Sequence, residues 1–369
     1  MSSKKPKILI VGQTPPPHNG QSIMIKKIVD GVYNTIQVFH VRMAFSKSIN
    51  ETGNVSVLKA FHLIKVVLLI IYYKFRFGID VLYYPPSGPS KTAFYRDAIL
   101  LVIARLFFNR VCFHFHAAGT SELYPNLNAP LRLLFRQAYF HADLGIRLSV
   151  LSTNDSLLMK VKREFIIPYG IEDATQFIDH PKKDDNQIVL LYVGLLSESK
   201  GVLRMIKACK LLKERKIEFS AIFVGEFKSD SFEQIVRNAI DAFELNGIVK
   251  FMGVLVGEDK FKVFSSSDIF CFPSFYEAES FPVVLLEACC FSLPIVSTSW
   301  RGIPSIVEDG KNGFLISKPD IVALADRLEI LIRDKGLRTK MGNTSRDIFC
   351  SRYTISKYYE NIEHALYSI

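Results

Sequence analysis

The sequence predicts an α/β protein of two domains, each a parallel sheet with helices on both faces. Three observations predict it. The 369 residues exceed what one core of ordinary size holds, at roughly 100 to 200 residues per domain. Apolar residues make up 49% and charged residues 22%, the balance of a folded chain rather than a disordered one. Short β-branched and aromatic runs alternate with longer helical patterns throughout, and such alternation builds βαβ units.

The first set of strands is expected at Lys7–Val11, Ile36–Val41, Val81–Tyr84, Val111–His116 and Leu144–Ser149. After the first of them, Gln13-Thr14-Pro15-Pro16-Pro17-His18-Asn19-Gly20-Gln21-Ser22 leads into a helix. The prolines hold the path of this loop, and Gly20 lets backbone approach a ligand at the helix start. Turn residues in Ile166-Ile167-Pro168-Tyr169-Gly170 and the polar run His180–Asn186 mark the domain boundary. That places one domain at 1–172 and the other at 185–352. A second set of strands follows at Ile188–Val193, Phe219–Val224, Val249–Met252, Ile269–Phe272, Pro294–Ser297 and Gly313–Ile316, with helices at Val202–Arg215 and Phe232–Phe243. The chain thus reads as Rossmann-like twice, with a cleft expected between the halves. Neither half shows Gly-x-Gly-x-x-Gly after its first strand, which speaks against a dinucleotide cofactor.

Six cysteines form no Cys-x-x-Cys pair and mostly sit in apolar runs, as buried thiols of a reducing compartment do. The apolar run after Lys7 is too short for a signal-peptide core, and no run approaches a membrane span. A cytoplasmic protein is expected. The charge is uneven: residues 1–170 carry 21 Lys and Arg against 8 Asp and Glu, so the first half holds more than the whole net charge of +10. Such a half asks for an anionic partner, for which nucleic acid is not the candidate. In the helical pattern Val55–Phe77, Lys59, Lys65, Lys74 and Arg76 fall within one half of the helix, leaving the other half free of charge and apolar. Packing on the first sheet explains that half, and so does peripheral docking on the anionic inner membrane face.

In open α/β sheets ligands sit outside the carboxyl ends of the strands, so the loops there carry the candidate chemistry. The densest is Phe272-Pro273-Ser274-Phe275-Tyr276-Glu277-Ala278-Glu279-Ser280-Phe281-Pro282-Val283-Val284-Leu285-Leu286-Glu287-Ala288. Pro282 suits the first turn of a helix, and Glu287 lies one turn inside it. The backbone N–H groups of Ser280, Phe281 and Val283 at that start, with the helix dipole, suit a diphosphate. Glu279 and Glu287 would repel it unless they served hydroxyl groups, such as those of a sugar. Lys200, between the Gly194 loop and the helix at Val202, offers a compact ammonium for the same phosphates. His116 stands at a strand's carboxyl end; His114 shares its face, deeper, and reads as core. No His, Cys and Asp cluster has metal-ligand spacing.

Glu279, seven intervening residues and Glu287 resemble the Glu-x7-Glu motif of retaining GT-B glycosyltransferases of family four. The resemblance extends over Pro273-Ser274, Phe281-Pro282, Leu286-Glu287-Ala288, Leu293-Pro294-Ile295-Val296-Ser297-Thr298, Gly302-Ile303-Pro304 and Ile306 to Phe314. It includes Tyr192-Val193-Gly194, Ser197-Glu198-Ser199-Lys200-Gly201 and Pro168-Tyr169-Gly170-Ile171-Glu172, and is thinner in the first half. The proline-rich first loop resembles that of members that build polysaccharide or lipopolysaccharide units. By this resemblance Glu279 touches the donor sugar, Glu287 the ribose, Lys200 the diphosphate, and His116 sits beside the reacting sugar. The helix Ile355–Leu366, within 353–369, returns to the first domain. The expected activity moves a hexose from a nucleotide-sugar co-substrate to a glycan or lipid-diphosphate-linked acceptor, with retention and without cofactor or metal. Leu195 stands where members have Arg, which removes a bidentate phosphate contact; Arg301 and Ser305 also depart. These departures keep an inactive binding subunit open as an alternative, beside an epimerase or phosphorylase on the same fold.

Overall fold

In a computed structural model, residues 5–16, 19–45, 57–178, 187–318 and 320–369 are described. The chain divides into two compact units, Met1–Tyr169 with Ser356–Ile369, and Gly170–Ile355.

The first unit holds strands β1 (Lys7–Gly12), β2 (Gln37–Arg42), β3 (Val81–Tyr84), β4 (Arg110–Phe115), β5 (Leu144–Arg147) and β6 (Arg163–Ile166). All pair in parallel in the order β2-β1-β3-β4-β5-β6. Helices α1 (Gly20–Asp30), α2 (Val57–Phe77), α3 (Lys91–Ala104), α4 (Ala129–Tyr139) and the single turn α5 (Asp155–Leu158) connect them. Because both faces are covered, central strands are apolar without alternation: Ile8, Leu9, Ile10 and Val11 are all fully buried. One strand escaped the sequence reading. Arg163-Glu164-Phe165-Ile166 lies at the sheet edge and is largely exposed, so it lacks the apolar run by which its neighbours announce themselves.

The second unit holds β7 (Val189–Val193), β8 (Ser220–Val224), β9 (Val249–Phe251), β10 (Ile269–Phe272), β11 (Ile295–Thr298) and β12 (Gly313–Ile316). Their order is β12-β11-β10-β7-β8-β9, again parallel. Helices α6 (Val202–Glu214), α7 (Asp230–Ala242), α8 (Gly257–Ser265), α9 (Val283–Cys290), α10 (Ile321–Arg333) and α11 (Lys335–Arg352) cover it. The strand order reverses between β7 and β10, and a sheet of this kind opens a crevice at such a switch point. The loops after these two strands carry Lys200 and Glu279.

Helix α12 (Ile355–Tyr367) enters the first unit at Ser356. There Glu363 accepts from the hydroxyl of Thr35 at 2.8 Å, and Tyr359 meets Tyr33 edge to face. The polar run His180–Asn186 lies outside the described residues, as do Pro17, His18, Val55 and Ser56. No helix among the described residues is long and apolar enough to cross a membrane.

Candidate functional site

Three loops of the second unit converge because glycines let backbone meet backbone. Gly201 has φ +84°, and a Cβ there would lie 2.2 Å from the Pro273 carbonyl oxygen. Only glycine permits that approach, which lays the loop after β7 on the loop after β10. Gly302 acts likewise for the loop after β11, where a Cβ would lie 1.7 Å from the Ser280 carbonyl oxygen.

The approach joins Lys200 to Glu279. The Lys200 ammonium lies 2.6 Å from Glu279 Oε2, over the rings of Tyr276 and Phe272, and Ser274 Oγ donates to the same oxygen at 2.8 Å. Burial, and next the Glu279 carboxylate, push the Tyr276 phenol up. A second pair forms on α9. Lys260, from α8, places its Nζ 2.5 Å from Glu287 Oε1, while Glu287 Oε2 is buried with no hydrogen-bond partner among the described residues. Each carboxylate therefore carries its own cation, which removes the repulsion expected between two glutamates and a diphosphate. Lys260 has no sequence signal, since it sits on an ordinary amphipathic helix; Ser274 lies in the Pro273-Ser274 pair that carries the resemblance, but nothing in the sequence gives it this role.

Pro282 is the N-cap of α9 and not, as the sequence suggests, a residue of its first turn. It makes no side-chain cap bond, so the first-turn N–H groups at Val283 and Val284 have no capping side chain to answer them. Phe281 and Ser280 before it are buried. Gly194 follows β7, with its N–H already donated to the Val224 carbonyl at 2.9 Å. Among the departures, Leu195 accepts from the Tyr192 hydroxyl through its carbonyl, and Ser305 does so from Tyr353. Arg301 has φ +50° and lies over Trp300. Asn312, in the loop before β12, accepts from the Glu308 N–H and donates to the Ile306 carbonyl, so it shapes that loop.

Gly20 and His116 belong to the first unit. Gly20 opens α1 behind a capping box in which Asn19 and Ser22 satisfy each other's N–H groups, so part of that helix start is already closed. His116 lies one residue past β4 and is 6% exposed. Its Nδ1 is 2.5 Å from the Tyr169 hydroxyl, and its Nε2 is 3.1 Å from the Tyr83 hydroxyl. Tyr83 also reaches His114 Nδ1 at 2.5 Å, and the two imidazoles stack with centroids 3.9 Å apart. His114 is fully buried, as read, but only half satisfied, since its Nε2 has no partner among the described residues. Burial lowers His116 to about 3 and takes His114 well below the usual imidazole range. Both are neutral at physiological pH, and a ring contact of His116 with substrate requires exchanging one tyrosine partner. Among the described residues no three His, Cys, Asp or Glu side chains are grouped to hold a metal ion.

Known proteins resemble this arrangement. Residues 173–348 match the family model described as glycosyl transferases group 1. The colanic acid biosynthesis glycosyltransferase WcaL of Escherichia coli, a putative assignment by its own description, is 31% identical over 201 residues, 53% of this chain and 48% of that protein. The capsular polysaccharide biosynthesis glycosyltransferase CapM of Staphylococcus aureus is 23% identical over 222 residues, 56% of each chain. The chain thus spans about half the length of these relatives. The crystal structure of HepE from Anabaena in complex with UDP-glucose superposes with a TM-score of 0.73 at 20% identity, over 98% of this chain and 100% of that one. With two parallel six-stranded sheets of this topology, the chain has the GT-B fold, and its second unit is similar over residues 173–348 to the glycosyl transferases group 1 family.

Proposed function

We propose that this protein transfers a hexose from a nucleotide sugar to a glycan or lipid-diphosphate-linked acceptor, with retention of configuration, in polysaccharide or lipopolysaccharide assembly. The observation that carries this reading is the buried, unpartnered Oε2 of Glu287 beside the Lys260 pair. A buried carboxylate oxygen without a donor is costly, and a ribose hydroxyl is a donor of the right kind. Lys200 and the first turn of α9 would take the diphosphate, Glu279 the sugar, and the first unit the acceptor. Stabilising the leaving diphosphate by these fixed charges and dipoles is worth several kcal/mol in sites of this type. The leaving phosphate oxygen takes the acceptor proton, so no cofactor or metal is assigned a step. The named roles of the two relatives and the UDP-glucose of HepE support the donor and acceptor classes.

A thermal-shift and calorimetric screen with UDP-, GDP-, ADP- and dTDP-linked sugars tests this. A true donor at about a hundred times its Kd raises stability by about 2.7 kcal/mol and releases free nucleotide on turnover. A folded protein that neither binds any of them nor releases nucleotide would be a binding subunit instead.

A further inference from the structure

Helix α2 packs with the half of its surface that carries charge, not with the half that is free of it. Val66 and Ile70 are buried in the core of the first unit, with Leu63, Tyr73 and Phe77 packed around them. Lys74 lies on this side and folds back to donate to the Ile79 carbonyl at 2.7 Å, its ammonium over Phe108. On the opposite side Phe61, Ile64, Leu68, Tyr72 and Phe75 are between 55% and 71% exposed. At about 100° per residue they form one stripe about 80° wide, and at about 1.5 Å per residue it runs about 21 Å. Phe75 meets Phe107 edge to face, and neighbouring Leu106 is 77% exposed, so the patch continues beyond the helix. Packing on the sheet therefore leaves this stripe unexplained. A contiguous apolar stripe of this kind marks an interaction site.

The charge beside it selects the partner. Exposed Lys65 and Arg76 border the stripe, and no Asp or Glu occurs between Glu51 and Asp80. A second copy bringing the same stripe would set these cations against their own equivalents, with no acidic group on α2 to neutralise them. A protein partner would find few polar anchors, since the stripe's one hydrogen-bonding group is the Tyr72 hydroxyl. An anionic lipid surface answers both features: acyl chains cover Phe, Leu and Ile, aromatic rings favour the interface, and headgroups meet the cations. We infer that α2 is an interfacial helix that seats the first unit on an anionic membrane surface through Phe61, Ile64, Leu68, Tyr72 and Phe75, with Lys65 and Arg76 at the headgroups. The helix lies in the interface and does not span it.

Sedimentation of the full chain with phosphatidylcholine vesicles, with and without phosphatidylglycerol, tests this. The protein partitions onto phosphatidylglycerol vesicles at low salt and less at high salt. Ile64→Asp/Leu68→Asp lowers the partition coefficient at least about tenfold, and Lys65→Glu/Arg76→Glu removes the preference for phosphatidylglycerol. Wild type that stays in the supernatant, or that binds as well after Ile64→Asp/Leu68→Asp, overturns the inference. So does a wild-type dimer that this double variant dissociates without any vesicle binding, which would make the stripe an interface between copies. Nucleotide-sugar binding measured on the same samples reads the second unit alone, so its loss leaves docking standing; circular dichroism and urea unfolding of the non-docking variant, matched to wild type, show that the first unit keeps its fold.

Discussion

The Nζ of Lys260 lies 2.5 Å from Oε1 of Glu287, across the gap from α8 to α9, and leaves the other carboxylate oxygen buried and without a partner among the described residues. On the proposed function, one oxygen is held by the protein and the other is kept for a donor from outside. Lys260→Met should therefore leave Glu287 buried without its cation, and weaken nucleotide-sugar binding by about 1.5–3 kcal/mol. Calorimetry at pH 7 checks this; an unchanged affinity makes the pair a surface ornament.

Lys200 and Glu279 are expected to exchange each other for donor groups on binding. Lys200→Ala and Glu287→Ala should each lower donor affinity about tenfold to a hundredfold, as loss of a charged hydrogen bond does. Circular dichroism should show the fold kept. Equal donor affinity in both variants would remove the donor from this loop cluster.

His116→Ala should lower turnover much more than donor affinity, because its place is assigned at the reacting sugar and not at the nucleotide. Tyr169→Phe, which takes away one of its two hydroxyl partners, should shift turnover in the same direction by less. EDTA should leave the wild-type rate unchanged. Equal activity of His116→Ala would leave the imidazole as packing, and a rate abolished by EDTA would end the metal-free mechanism.

His114 and His116 both have folded-state values below the ordinary imidazole value, so the unfolded chain takes up protons first as the pH falls. The contribution of His116 to stability is whole above about pH 6.5 and is lost as the pH drops toward about 3, and that of His114 falls in the same direction. Each histidine adds up to about 1.4 kcal/mol per pH unit to the slope in that window. The two imidazole spectra, followed by NMR from pH 7.5 to 5, should stay in their neutral form; titration near pH 6.5 would contradict the buried network.

Gly302→Ala should cost about 1–3 kcal/mol of stability, since the added Cβ meets the backbone oxygen of Ser280 and no flexible side chain is there to yield. Donor affinity should fall with it, because Ser280 leads into α9. Urea unfolding and calorimetry measure the two; a fully stable variant would mean that the loops tolerate separation.

Periodicity and turn chemistry, which are local, were legible in the chain itself. They placed β1, β3, β10 and β12 almost to the residue, Lys200 before α6, and Glu279 and Glu287 on one loop and helix. The edge strand β6 was invisible because exposure at an edge removes the apolar run that signals a strand. What lies across elements was decided by tertiary structure alone. Lys260 meets Glu287 over 27 residues, and Tyr169 meets His116 over 53, and no local pattern records either meeting. Likewise the sequence showed that α2 has a charged half and an uncharged one, but not which half is covered. A helix's own periodicity states where its apolar side chains point, while the order of the strands beneath it decides which of them is taken out of water.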